Sequence, residues 1–108
     1  MSKYKYKFDT GKRYKSRGIN TKLPIPIQVI LWSILDQHLQ SETEIDYLQI
    51  FKFVEENGIL AIKHSQEQPD YKKQYTMRMC DEYRVLTGST IYIIDDKDHS
   101  TMLFAEEY

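Results

Sequence analysis

From Lys3 to Phe8 basic and aromatic residues alternate, with Tyr4, Tyr6 and Phe8 on one side and Lys3, Lys5 and Lys7 on the other. A period of two predicts a strand with one buried and one charged face, and Gly11 interrupts it. A second strand is expected from Arg13 to Ile19. The period then changes after Pro24 and Pro26, which suit a first helical turn because proline has no N–H to leave unpaired there. At about 100° per residue, Ile27, Ile30, Leu31, Trp32, Ile34, Leu35 and Leu39 share one broad arc. Ser33, Asp36, Gln37 and Gln40 share the other. An apolar arc this wide belongs against a sheet.

Residues 47–54 are rich in aromatic and β-branched types and read as a strand. Asn57-Gly58 follows, a dipeptide suited to a two-residue hairpin because both positions of a type I′ turn need positive φ. That turn pairs Glu56 with Ile59, Phe53 with Ile62 and Phe51 with His64. It places Phe51, Phe53, Leu60 and Ile62 on the core side. It also sets Lys52 opposite Lys63, an unfavourable pair that suggests a solvated face. Further strands are expected at Lys72–Met79, Thr90–Ile94 and Ser100–Ala105. Cys80–Ser89 reads as a loop and Asp95–Asp98 as a turn. The expected fold is α+β, one amphipathic helix packed on a mainly antiparallel sheet of five or six strands. Residues 1–108 form one domain, and 1–12 are an edge strand or an extension.

Composition narrows the setting. A chain of 108 residues, 41% hydrophobic and 13% aromatic, supports one core without covalent staples. Nine tyrosines against four phenylalanines and one tryptophan favour half-buried positions and contact surfaces. A single cysteine, Cys80, allows no internal disulfide and points to a reducing compartment. No apolar run has the length of a membrane span. A cytoplasmic location with no membrane partner is expected.

Charge is segregated along the chain although the total is only −1. Residues 3–22 carry eight Lys or Arg against Asp9, and residues 23–71 carry eight acids against Lys52 and Lys63. Such asymmetry bears on partners rather than on fold.

Several strings occur in a telling order: Arg17-Gly18-Ile19, Leu31-Trp32, Asp46-Tyr47-Leu48-Gln49-Ile50-Phe51, His64-Ser65-Gln66-Glu67-Gln68-Pro69, Ile94-Asp95-Asp96 and Thr101-Met102-Leu103-Phe104-Ala105-Glu106-Glu107-Tyr108. From Tyr14 to Tyr108 the chain resembles a family of small staphylococcal and other Gram-positive proteins, domain of unknown function 960, often found on phages and mobile cassettes. The resemblance implies no activity at any residue. It implies roles typical of mobile elements, such as handling nucleic acid or inhibiting a host or defence protein.

The candidate partner-binding residues are Lys3, Tyr4, Lys5, Tyr6, Lys7, Lys12, Arg13, Tyr14, Lys15 and Arg17. Lysines interleaved with tyrosines offer phosphate contacts plus stacking surfaces. The competing structural reading is an edge strand whose aromatics enter the core while its lysines guard the edge. The two readings are compatible if the lysine face is itself the contact surface.

Asp95, Asp96, Asp98 and His99 could hold a hard divalent cation, but they lack the spacing of a calcium loop, and Asp serves turns by capping the backbone. His38, His64 and His99 are dispersed, and His38 near a helix C-terminus is expected to be partly cationic. Asp81 and Glu82 disfavour a thiolate at Cys80. Asp36, Glu42, Glu44, Asp46, Glu55 and Glu56 could imitate a phosphate backbone, though such a run is usually a solvated face. No phosphate loop, dinucleotide fingerprint, paired-cysteine zinc site or nucleophile elbow occurs.

The expectation is therefore a non-enzymatic binding module without a cofactor, meeting nucleic acid or an acidic protein surface through its basic N-terminal strand. The rival is an inhibitor or adaptor acting on a host or defence enzyme, such as a CRISPR or restriction enzyme. A third reading is a metal-dependent enzyme at the Asp95–His99 turn. Homodimerisation through an open sheet edge remains compatible with all three.

Overall fold

The computed structural model describes residues 6–108. After a 3-10 turn at Thr10–Lys12, the elements run β1 (Arg13–Lys15), α1 (Arg17–Lys22), α2 (Ile25–Leu39), β2 (Leu48–Glu56), β3 (Ile59–Gln66), β4 (Tyr71–Arg78), α3 (Asp81–Arg84), β5 (Thr90–Asp95) and β6 (Ser100–Phe104), with a second 3-10 turn at Ala105–Glu107. The strands form one six-stranded sheet in the order β1-β6-β5-β2-β3-β4. Every pairing is antiparallel except β1 with β6. The fold is α+β, as the hydrophobic pattern predicts.

The β2–β3 hairpin has the predicted register, with Glu56 facing Ile59, Phe53 facing Ile62 and Phe51 facing His64. Its turn is closed by Asn57 at φ 52° and Gly58 at φ 79°, the left-handed conformations a type I′ turn requires. Helix α2 begins behind Pro24 with Pro26 in its first turn and buries Ile27, Leu31, Ile34 and Leu35. These side chains meet Phe51, Phe53, Ile62, Ile91, Ile93 and Met102 of the sheet in one core. Full burial of each such side chain contributes on the order of 1.5–3 kcal/mol.

Two predicted strands are revised. The segment Arg13–Ile19 is extended only through Lys15, because the Ser16 side chain accepts a hydrogen bond from the Ile19 N–H and caps α1. Glu107 reinforces the turn there by accepting from the Ser16 hydroxyl at 2.7 Å and the Gly18 N–H at 3.0 Å. Burial and these donors hold opposing influences on the Glu107 carboxyl; the hydrogen bonds, led by Ser16, prevail and lower its pKa.

The described part of the first alternating stretch is not a strand either. Phe8 is buried in the core but sits at φ 47°, a region that costs a bulky residue free energy. The reason is Asp95, whose Oδ2 accepts from the Lys7 and Phe8 N–H groups, each at 3.0 Å. With both donors directed at one buried carboxylate, the backbone turns inward and cannot continue a ladder. Lys3, Tyr4 and Lys5 lie outside the described residues.

The loop expected at Cys80–Ser89 contains the short helix α3, with Asp81 and Glu82 in its first turn, where negative charge meets the free N–H groups. Gly88 follows at φ 89° and donates to the Phe53 carbonyl at 2.8 Å. A side chain at that φ would be strained, so glycine lets the chain re-enter the sheet as β5.

Candidate partner-binding surface

The helices lie on one face of the sheet, so strand alternation divides the remaining side chains between a covered and an uncovered face. The uncovered face carries Leu48, Ile50, Lys52 and Val54 of β2, Lys63 and Ser65 of β3, Lys72 and Gln74 of β4, and Tyr92 and Ile94 of β5. The apolar members are half-buried and the three lysines are exposed. Lys52 faces Lys63 across β2 and β3, and Ser65 beside it faces Lys72 across β3 and β4. Lys52, Lys63, Ser65, Lys72, Lys73 and Gln74 line a groove of about 450 Å³ that also reaches His64. No acidic residue is among its lining residues.

The described members of the predicted N-terminal set are dispersed around the β1 edge. Arg13 is an internal strut. It bonds the Phe8 carbonyl through Nε at 3.1 Å and through a terminal nitrogen at 2.9 Å, pairs with Asp36 at 2.5 Å, and lies 4.6 Å from the Trp32 ring centroid. With only 13% of its side chain exposed, it offers a partner little. Lys15 reaches the Gln28 side-chain oxygen at 3.4 Å. Tyr6 is half-buried against Tyr47, with ring centroids 6.0 Å apart. Tyr14 is 58% exposed and edge-on to His99.

Lys7 and Lys12 are exposed but share a cavity of about 240 Å³ with Lys97, His99, Asp9, Asp95 and Asp98. Three carboxylates beside three lysines weaken any single-signed field there. Arg17 is exposed in the first turn of α1. The cationic groups that structure brings together without acids are therefore those of β2, β3 and β4. Their one trace in the sequence is the opposition of Lys52 and Lys63.

At the Asp95–His99 turn, the carboxylates are engaged in capping the backbone. Asp95 Oδ1 accepts from the Lys97 N–H, while Asp96 Oδ1 accepts from the Asp98 and His99 N–H groups. The His99 N–H is the first cause of the lowered Asp96 pKa. Among the described residues no three His, Cys, Asp or Glu side chains converge as a metal-holding group. The acidic stretch is likewise divided: Asp36 pairs with Arg13, Glu55 pairs with Arg84 at 2.6 Å, and Asp46 is buried. Asp46 caps the backbone N–H groups of Tyr47, Glu67 and Gln68.

Under α2 lies a polar network that sequence spacing did not reveal. His38 and His64, far apart in the chain, meet with ring centroids 5.0 Å apart, and His64 stacks on Phe51 at 4.7 Å. His38 Nε2 lies 2.9 Å from Gln66 Oε1, and His64 Nε2 lies 2.6 Å from Gln49 Oε1. Because those amide oxygens accept, both rings present Nε2–H. Gln49 and Gln66 are joined directly at 2.9 Å.

Burial lowers the His38 pKa despite the opposing influence of the hydrogen bond that His38 donates to Gln66. Burial pushes His64 down to about 3, assisted by His38 and Lys73. The expectation of a partly cationic His38 is thus corrected: loss of solvation outweighs the helix-end dipole. The signal available in sequence was only that His38 falls four residues after Ile34, on the buried arc.

The comparisons agree with this architecture. A family model described as Staphylococcal protein of unknown function (DUF960) matches residues 12–107. The chain belongs to that family. It is also similar to a crystal structure of a protein of unknown function from Enterococcus faecalis, with 25% identity and a TM-score of 0.79 over 94% of this chain and 95% of that one. No curated protein matches. The match to the Enterococcus faecalis protein extends the sheet and helix arrangement to both chains.

Proposed function

We propose that this protein is a non-enzymatic, cytoplasmic binding module for an anionic macromolecule, either nucleic acid or an acidic protein surface. The observation that supports it most is spatial: Lys52, Lys63, Lys72 and Lys73 line one groove without an acid among them. Exposed Lys15 and Arg17 add positive charge near the β1 edge, so the basic N-terminal segment contributes as one flank, while Lys7 and Lys12 are offset by neighbouring carboxylates. Attraction to a phosphate chain releases condensed counterions and falls steeply with salt. A filter-binding titration with a mixed-sequence oligonucleotide and with polyglutamate, each at two salt concentrations, tests the reading. Affinity that falls with salt for either polyanion is expected. Salt-independent affinity, or no binding to either, overturns it.

A second reading has its own support. Ile25 and Val29, one turn apart on α2, are 58% and 57% exposed, an apolar patch suited to a protein contact. An inhibitor or adaptor of a host or defence enzyme would use it. A stoichiometric protein that co-purifies after nuclease treatment, and is lost on Val29→Lys, favours this reading; purification without one removes it.

A further inference from the structure

We infer that the occupant of the lysine groove is a single-stranded nucleic acid, with phosphates at Lys52, Lys63 and Lys72 and bases on the tyrosine side of the same sheet face. This rests on the anionic-partner reading and goes further by naming the site and the polymer.

The first argument is energetic. Directly opposed like charges destabilise a pair of strands, and here Lys52 opposes Lys63 with Lys72 on the neighbouring row. Among the described residues none of the three forms an ion pair. Edge protection accounts for Lys72 on β4, but folding gives no reason to set Lys52 against Lys63 on two interior strands. A polyanion laid across the strands does.

The second argument is geometric. Strand pairing places Lys72, Ser65, Ile50, Tyr92 and Leu103 in one row across β4, β3, β2, β5 and β6. At about 4.8 Å between strands, Lys72 and Tyr92 stand about 14 Å apart on one uncovered surface. Tyr92 is half-buried, and the Tyr108 ring meets it edge-on at 5.8 Å. Tyr108 itself is 74% exposed.

The face thus joins a cationic half to an aromatic half through half-buried Ile50 and Leu48. Phosphates need the first half. Exposed bases gain stacking from the second, without regard to sequence. A duplex hides its bases from a flat sheet, and an acidic peptide has no use for the stacking surface. Single-stranded polymer uses both halves.

The test measures fluorescence anisotropy of labelled oligothymidylate and oligouridylate of about 12 nucleotides, with polyglutamate as competitor, at several salt concentrations. Three variants of the full chain are compared: Lys52→Ala with Lys63→Ala, Tyr108→Ala, and the edge pair Lys12→Ala with Arg17→Ala. All substituted side chains are exposed, and unfolding midpoints confirm that each variant folds. The groove pair should weaken binding at least tenfold and reduce the slope of log affinity against log salt by about 1.4, or about 0.7 for each lysine removed. Tyr108→Ala should weaken binding by roughly fivefold or more.

The edge pair should have the smaller effect. Whether DNA or RNA binds more tightly assigns the polymer's sugar. Binding lost in the edge pair but kept in the groove pair overturns the site while leaving the anionic-partner reading intact. Polyglutamate displacing the oligonucleotide at equal charge concentration, with Tyr108→Ala silent, makes the occupant an acidic protein segment and overturns the nucleic-acid assignment. No binding of any polyanion removes both.

Discussion

The two faces of the sheet follow different rules. On the covered face, Phe51, Phe53, Ile62, Ile91, Ile93 and Met102 are all but inaccessible, and polar groups such as Gln49, His64 and Asp95 have hydrogen-bond partners. On the uncovered face, Lys52 opposes Lys63 while Ile50, Ile94 and Leu103 remain half-open to water. Burial of apolar surface accounts for most of the first arrangement, although among the described residues His38 Nδ1, His64 Nδ1 and Ser100 Oγ are buried without a hydrogen-bond partner. Burial does not account for the second, which sets like charges together and leaves apolar surface wet. Departures from local folding logic mark places where a sequence serves something other than its fold.

The comparison is sharpest under truncation. Phe51→Ala should destabilise by about 3–5 kcal/mol through a cavity between sheet and helix, whereas Val54→Ala on the other face should cost well under half as much. Chemical denaturation of the two variants measures this directly. Equal losses would mean that the uncovered face carries the fold as well.

Arg13→Ala comes next. It removes two hydrogen bonds to Phe8 and the bond to Asp36, an expected loss of about 2–3 kcal/mol. Limited proteolysis should then cut near residues 6–9 sooner than in the parent chain. Unchanged proteolysis would show that Asp95 alone secures the segment.

His64 provides a pH test of the covered face. Its pKa is lowered by burial in the fold, so the unfolded chain binds the extra proton as pH falls below the ordinary histidine value. Stability should be full above about pH 6.5 and decline as the solution is acidified toward pH 3. The expected loss from this residue is about 1.4 kcal/mol per pH unit, or about 2 kcal/mol at pH 5. Urea midpoints at pH 7 and pH 5 that coincide would contradict a neutral His64.

The smallest effect has the opposite sign. Lys52→Glu turns a repulsive cross-strand pair into an attractive one and should stabilise by roughly 0.2–1 kcal/mol, while abolishing salt-dependent oligonucleotide binding. A variant that gains stability and loses binding is the signature of a residue retained for a partner. Lost stability in Lys52→Glu would break the contrast between the faces.

Much of the architecture was legible from local rules. The hydrophobic arc located α2, and Asn57-Gly58 gave the register of β2 with β3, because helix period and turn chemistry are properties of neighbouring residues. The same register exposed the Lys52–Lys63 conflict. The candidate site was less legible. Alternation in residues 3–8 resembled a strand, yet Phe8 turns inward because a carboxylate from the far end of the chain captures the Lys7 and Phe8 N–H groups.

Sequence by itself therefore determined the class of fold, the helix, the central hairpin and an excess of positive charge near the N-terminus. Tertiary structure alone decided that Arg13 braces Phe8 and Asp36, that His38 meets His64, and that Lys72 joins Lys52 and Lys63 while Lys7 and Lys12 sit among carboxylates. Those outcomes depend on contacts between residues distant in the chain, and charges act through space rather than along the sequence.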